Sequence, residues 1–99
     1  MASPNGASMD VVEITDERRF ELHDQGAVVG VLDYEVRGEH WIFTHTTIDP
    51  DRRGEGLGDV LVAGALAEAR AQGMRIIPRC WFVEDHIARH PDLADLLAG

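Results

Sequence analysis

The sequence contains no lysine: its nine basic residues are all arginine. A phosphate-binding loop of the nucleoside-triphosphatase kind, which ends in Gly-Lys-Ser/Thr, is therefore excluded. If the protein transfers acyl groups, it also offers no lysine side chain of its own to modify. There is a single cysteine, Cys80, so no intramolecular disulfide can form, and a free thiol fits a reducing compartment. No apolar run approaches the roughly 20 residues that a membrane span needs. Met1 to Ser8 are small and polar, without the positive-then-apolar order of a signal peptide. A cytoplasmic protein with no membrane partner is expected. Positive charge is scarce as well, and the net charge of −9 argues against nucleic acid, because phosphate contacts need a positive face. An acidic surface suits a basic partner instead, such as an amine or a lysine-rich peptide. Aromatic residues are few, and Tyr34 is the only tyrosine.

What is present is an ordinary globular composition, 44% hydrophobic and 27% charged over 99 residues. That length supports one domain with a core and is too short for two. Residues 1–9 read as a flexible tail and residues 10–99 as a single compact domain. Val11 to Thr15 and Arg19 to His23 alternate partly, as one bent strand or two short ones. Asp24-Gln25-Gly26 is a turn signal. Ala27 to Val36 reads as a strand with Val28, Leu32, Tyr34 and Val36 on one face and Val29, Val31, Asp33 and Glu35 on the other. Arg37-Gly38-Glu39 reads as a hairpin loop, and His40 to Ile48 as the return strand, ended by Asp49-Pro50.

From Gly56 to Gln72 the period is helical, with Leu61, Val62, Ala65, Leu66 and Ala69 on one side and Gly73 as the C-terminal cap. Arg75 to Pro78 reads as a short buried strand, parallel to the one before the helix if the crossover is right-handed. A brief helix over Val83 to Arg89 stops at Pro91, and Asp92 can cap a last turn through Leu97. The fold class is thus α+β (α/β): a mostly antiparallel sheet with a parallel pair, one long helix and short C-terminal helices.

Between the fourth strand and the long helix lies Arg52-Arg53-Gly54-Glu55-Gly56-Leu57-Gly58. Three glycines on alternate residues leave the backbone nearly bare, and the helix aims its unpaired N–H groups back at it. Anions settle at such places, because orphan amides and the helix dipole both favour negative charge. A dinucleotide fingerprint needs a different glycine spacing directly after a strand, in a longer doubly wound sheet. A pyrophosphate cradle remains, with a solvated loop and a glycine-softened helix start as the structural alternative. Arg52, Arg53 and Arg79 can neutralise phosphates there or form surface ion pairs.

Arg53-Gly54-Glu55-Gly56-Leu57-Gly58 spells Arg-x-x-Gly-x-Gly, which resembles the loop that opens the main helix in GCN5-related N-acetyltransferases. Together with His45-Thr46 upstream, Pro78-Arg79-Cys80-Trp81-Phe82 and His90-Pro91 downstream, and Phe20-Glu21-Leu22 and Tyr34, the chain resembles the small YjdJ-type branch of that superfamily. The resemblance covers about residues 11 to 97. It implies an acetyl-CoA-dependent N-acetyltransferase acting on a primary amine of a small molecule or of a protein or peptide lysine. It implies coenzyme A as co-substrate, with the strand from Trp41 to Ile48 splaying from the last strand to open a cleft. Thr46, Thr47 and Ile48 would meet pantetheine in that cleft. Arg53, Gly54, Glu55, Gly56, Leu57 and Gly58 would hold the pyrophosphate, with Cys80 beside the thioester. A monomer or weak homodimer is expected. The chain departs from the wider superfamily in lacking its long N-terminal helices and a tyrosine after the last strand. A coenzyme-binding module without turnover, or an interaction protein, is therefore the rival.

Amine acetylation needs a base for the ammonium proton, polarisation of the carbonyl, and an acid for the departing thiolate. His45 is the candidate base, since an unperturbed histidine titrates near neutral pH, or else a histidine satisfied within the sheet. Cys80 is either an acid, a nucleophile, or an inert buried thiol. His86 and His90 have a helical metal-ligand spacing, but Pro91 biases His90 away from helical geometry and no second thiol is near, so no metal is expected. Packing or capping suits both better. Trp41, Phe43, Trp81 and Phe82 read as core and cleft wall.

Overall fold

Tight turns in the first half of the chain fold its alternating segments into a meander. The computed structural model describes residues 9–98, and the tail expected over residues 1–8 lies outside them. Met9 is not part of a tail: it opens β1 (Met9–Ile14) and pairs with Asp24 of β2 (Arg19–Asp24). β3 (Ala27–Arg37) and β4 (His40–Ile48) follow, each antiparallel to the strand before it. Residues 11–23 form two strands because Arg18 turns left-handed, at φ 53°, after a 3-10 turn at Thr15–Glu17. Gln25 and Gly26 both take positive φ, 52° and 84°, the two-residue turn whose twist suits a hairpin.

The β3 face assignment holds at Leu32 and Tyr34 and fails at both ends. β2 and β3 slip register, Leu22 facing Gly30 and His23 facing Val28, so Val29 is an extra residue. A bulge reverses the in–out order: Val29 is buried and Val28 is 49% exposed. Val36, placed on the face of Leu32 and Tyr34, lies near the strand end and is exposed.

α1 (Leu57–Gln72) crosses one face of the sheet, with Leu61, Val62, Ala65, Leu66 and Ala69 fully buried in the core with Phe20, Leu22 and Leu32. The approach is close: a Cβ on Gly64 would stand 2.6 Å from Val11 Cγ2. Gly73, at φ 73°, ends the helix, its N–H meeting the carbonyls of Ala69 and Arg70. β5 (Arg75–Pro78) then pairs parallel with β4, completing the order β1-β2-β3-β4-β5. α2 (Trp81–Arg89) starts at Trp81 rather than Val83. The last turn is a 3-10 segment, Pro91–Leu96, whose cap position is His90 without a side-chain bond, so Asp92 does not cap it. Among the described residues no helix is long and apolar enough to cross a membrane.

Phe20, Tyr34, Trp41 and Phe43 form an aromatic cluster in the core. The Tyr34 hydroxyl donates to Glu13 at 2.7 Å. Burial first, and then that bond, raises its pKa well above the ordinary phenol value. The only tyrosine is therefore a protonated core residue.

One irregularity positions the site. Pairing between β4 and β5 ends at Phe43 opposite Pro78, with the Arg79 N–H still donating to Phe43 O at 3.0 Å. Thr44 is an extra residue between the Tyr34–Phe43 and Asp33–His45 pairs. Beyond that bulge β4 runs on to Ile48 with no strand beside it on that edge, because β5 ends at Pro78.

Candidate cofactor cleft

Beside the last residues of β4, beyond the end of β5, lies a cavity of about 560 Å³. Thr46 to Ile48 of β4 form one side, and Arg52, Arg53, Gly54 and Gly56 form the loop side. Leu57, Gly58 and Asp59 of the first turn of α1 complete it with Phe82 of α2. The loop reaches this place because Gly54 and Gly56 take φ of 89° and 75°, and a Cβ at either would have no heavy atom within 4 Å. Gly56 is the N-cap of α1 and supplies no side chain to its amides. The first N–H groups of a helix have no partner within it, so the start of α1 presents open donors at the cavity. These are the features an anionic pyrophosphate fits.

Arg52 and Arg53 divide their work. Arg52 donates from Nε to both Glu55 carboxylate oxygens, at 3.1 and 3.0 Å, and from Nη2 to Asp24 at 2.8 Å. Glu55 first and Asp24 second hold its charge firmly. Glu55 thus braces the loop and does not line the cavity. Arg53 makes no ion pair among the described residues and lines the cavity, which leaves its guanidinium to meet an anion.

Gly58 has a different role from its neighbours. A Cβ there would lie 2.5 Å from Phe82 Cζ, so this glycine seats the aromatic ring that walls the cleft. Gly58→Ala is expected to destabilise the fold by about 1–3 kcal/mol through overpacking, with Phe82→Leu in the same chain restoring most of the loss. Urea unfolding checks this, and an unchanged midpoint for the single variant would contradict it.

The half-buried thiol of Cys80 lies 3.2 Å from Thr46 Oγ1, and either atom can donate. Cys80 is also the N-cap residue of α2, its carbonyl accepting the Glu84 N–H at 3.1 Å. Cys80 does not itself line the cavity; its thiol touches Thr46, which does. His45 does not: it is exposed, lies opposite Asp33 and is not part of the lining. The structure brings the loop, Thr46, Thr47, Ile48 and Cys80 together and leaves His45 on the solvent side of β4.

A profile of GCN5-related N-acetyltransferases matches residues 19–96 of the chain. The chain belongs to this family. A GCN5-like protein of Staphylococcus aureus, solved by NMR, has the same fold at TM-score 0.70 and 20% identity, over 94% of this chain and 91% of that one. The ribosomal-protein-S18-alanine N-acetyltransferase of Escherichia coli aligns at TM-score 0.57 and 23% identity, covering 63% of this chain and 42% of its own. The IAA acetyltransferase of Bacillus cereus aligns at 0.53 and 20%, covering 78% and 58%. No curated protein matches in sequence. As a member of this family the protein is an N-acetyltransferase, and the five-stranded sheet with one parallel pair is the family's fold.

One part of this N-acetyltransferase's cleft was not visible in the sequence. Asp59 accepts from Arg89 Nη2 at 2.8 Å and is bonded to His86 Nδ1 at 2.9 Å. His86 is buried, and its ring lies 4.4 Å from that of His90. His86 therefore ties α2 to α1 as a packing residue, while His90 is exposed and caps no helix with its side chain. His86 first, then Arg89, holds the Asp59 carboxyl below its ordinary value of 3.8. A pKa lowered by folding adds stability that is present at neutral pH and lost as pH falls through the folded value. Asp59→Asn is accordingly expected to flatten the loss of stability between about pH 5 and about pH 2, as measured by denaturant midpoints. An acid limb as steep as the parent's would contradict it.

Proposed function

We propose that the protein is an acetyl-CoA-dependent N-acetyltransferase that acetylates a primary amine, on a small molecule or on a protein or peptide lysine. The observation that carries this is the uncapped start of α1 facing a cavity whose other side is the stretch of β4 beyond the end of β5. The amides of Leu57 to Asp59 and the Arg53 guanidinium bind the pyrophosphate of the coenzyme. The backbone of Thr46 to Ile48 lies along the pantetheine arm. When bound, acetyl-CoA supplies an activated acetyl thioester. Cys80 with Thr46 holds one proton between sulfur and oxygen and can release or take it at the cleft base. His45, exposed one residue before Thr46, serves as base only for an acceptor arriving from the solvent side. We place the protein in the cytoplasm as a monomer or weak homodimer.

The second reading is a coenzyme A-binding module without turnover, and the position of His45 away from the cavity favours it. A thermal-shift titration with acetyl-CoA, followed by an amine and basic-peptide screen for released thiol, separates the two. No shift sinks the cradle reading. Binding without acetylation across the screen selects the module. If the amines turn over, His45→Asn is expected to leave coenzyme affinity unchanged and lower turnover; unchanged turnover would return His45 to a structural role.

A further inference from the structure

The aromatic residues fall into two groups. Phe20, Tyr34, Trp41 and Phe43 are buried in the core, none of them more than 4% exposed. Trp81 and Phe82 open α2 directly after Cys80. Phe82 is half-buried and lines the cofactor cleft, while Trp81 is 72% exposed. Their rings meet edge to face, with centroids 6.4 Å apart and planes at 77°, within the range of a favourable aromatic pair. Trp81 does not line the cavity itself; it continues outward the aromatic wall that Phe82 begins. As the first residue of α2 it has no earlier turn of the helix to lie back on, so its ring stays at the rim. A single exposed aromatic is ordinary on a protein surface. Here the next ring belongs to the cleft wall, and the preceding sulfur lies 3.2 Å from Thr46 of the opposite wall.

We propose that Trp81 is a further coenzyme-binding residue, its indole packing against the thioester end of the pantetheine arm when acetyl-CoA is bound. The assignment rests on the cofactor reading of the cleft. The two ends of that cleft differ in chemistry. Arg53, the glycine loop and the open amides of α1 make one end fit for phosphate. At the other end Phe82 is an apolar wall, and the Cys80–Thr46 contact brings the first residues of α2 against β4. The face of an indole carries negative π density, which repels phosphate and suits an uncharged, largely apolar arm. Covering the ring also removes from water the most exposed large apolar side chain among the described residues, a favourable change that the free protein leaves unused.

The chain itself supplies the probe. Its two tryptophans differ in exposure, 3% for Trp41 and 72% for Trp81, so acrylamide quenching of the full chain reports Trp81. Saturating acetyl-CoA is expected to roughly halve the quenching slope. Adenosine diphosphate, which offers the diphosphate without the arm, should leave it unchanged. By calorimetry, Trp81→Ala should weaken acetyl-CoA by about three- to tenfold, the worth of one aromatic contact, with the affinity for adenosine diphosphate unaltered. Trp81→Phe keeps a ring and should recover most of that loss. Urea midpoints of both variants should match the parent, since an exposed side chain contributes little packing. Calorimetric binding of acetyl-CoA with an unchanged quenching slope would overturn the assignment. So would protection that appears only after an amine is added, which would give the indole to the acceptor, or equal losses for both nucleotides in Trp81→Ala. Absence of acetyl-CoA binding to the parent chain sinks the cofactor reading itself, and calorimetry detects that independently of the fluorescence.

Discussion

Gly56→Glu is expected to weaken acetyl-CoA binding by more than about tenfold, from two separable causes. Gly56 sits at φ 75° as the N-cap of α1, a left-handed conformation that costs an L-residue about 1–2 kcal/mol. No heavy atom lies within 4 Å of an added Cβ, so the side chain meets no steric obstacle. It brings a carboxylate to the mouth of the cavity, where the uncapped amides of α1 and Arg53 would otherwise meet phosphate. The glutamate competes for those donors and repels the ligand. Gly56→Asn tells the causes apart, because asparagine tolerates the left-handed region and carries no charge. It should lose little stability and keep most of the coenzyme affinity. Calorimetric titration of the two variants decides the matter: equal affinity for Gly56→Glu and the parent would remove the loop from the coenzyme site.

The elements legible in the sequence were those whose signal is local. Period-2 segments between turn residues became β1 to β4, and period-3.6 burial from Leu61 to Ala69 became the face of α1. The glycine loop was legible for the same reason, since positive φ at Gly54 and Gly56 is a property of the residues themselves. What failed depended on partners far along the chain. The phase of β3 is reversed by a bulge set by how β2 pairs with it, and nothing within Ala27–Val29 announces that. Gly58 lines the cavity with its neighbours, but nothing near it in the sequence announced that it also seats the Phe82 ring. The Asp59–His86 bond joins two helices across 27 residues, and neither residue's own surroundings in the sequence mark the pair. The proximity of Cys80 to Thr46 spans 34 residues; family resemblance anticipated it, while spacing alone could not.

Cys80 carries the largest expected effect on turnover. Its sulfur is held by two independent constraints: the end of β5, where Arg79 still bonds to Phe43, and the start of α2, anchored on α1 through Phe82 against Gly58 and His86 against Asp59. The thiol is thereby fixed 3.2 Å from Thr46 Oγ1 while remaining half-buried. Cys80→Ala removes one proton-carrying atom and little else, because the cap position uses the carbonyl of this residue rather than its side chain. Coenzyme affinity should stay within about twofold, and turnover should fall by about 10²–10⁴, the range for loss of a positioned proton-transfer group. Cys80→Ser distinguishes the two chemistries open to a thiol. A serine retains a proton donor beside Thr46 but is a far weaker nucleophile at neutral pH. Partial activity in the serine variant, with no mass added to the parent after incubation with acetyl-CoA, fits a proton donor. An inactive serine variant, with an acetyl mass on Cys80 of the parent, fits a covalent route. Full turnover in Cys80→Ala would leave the thiol as a packing residue, and the chemistry would then have to come from the solvent side of β4, where His45 stands.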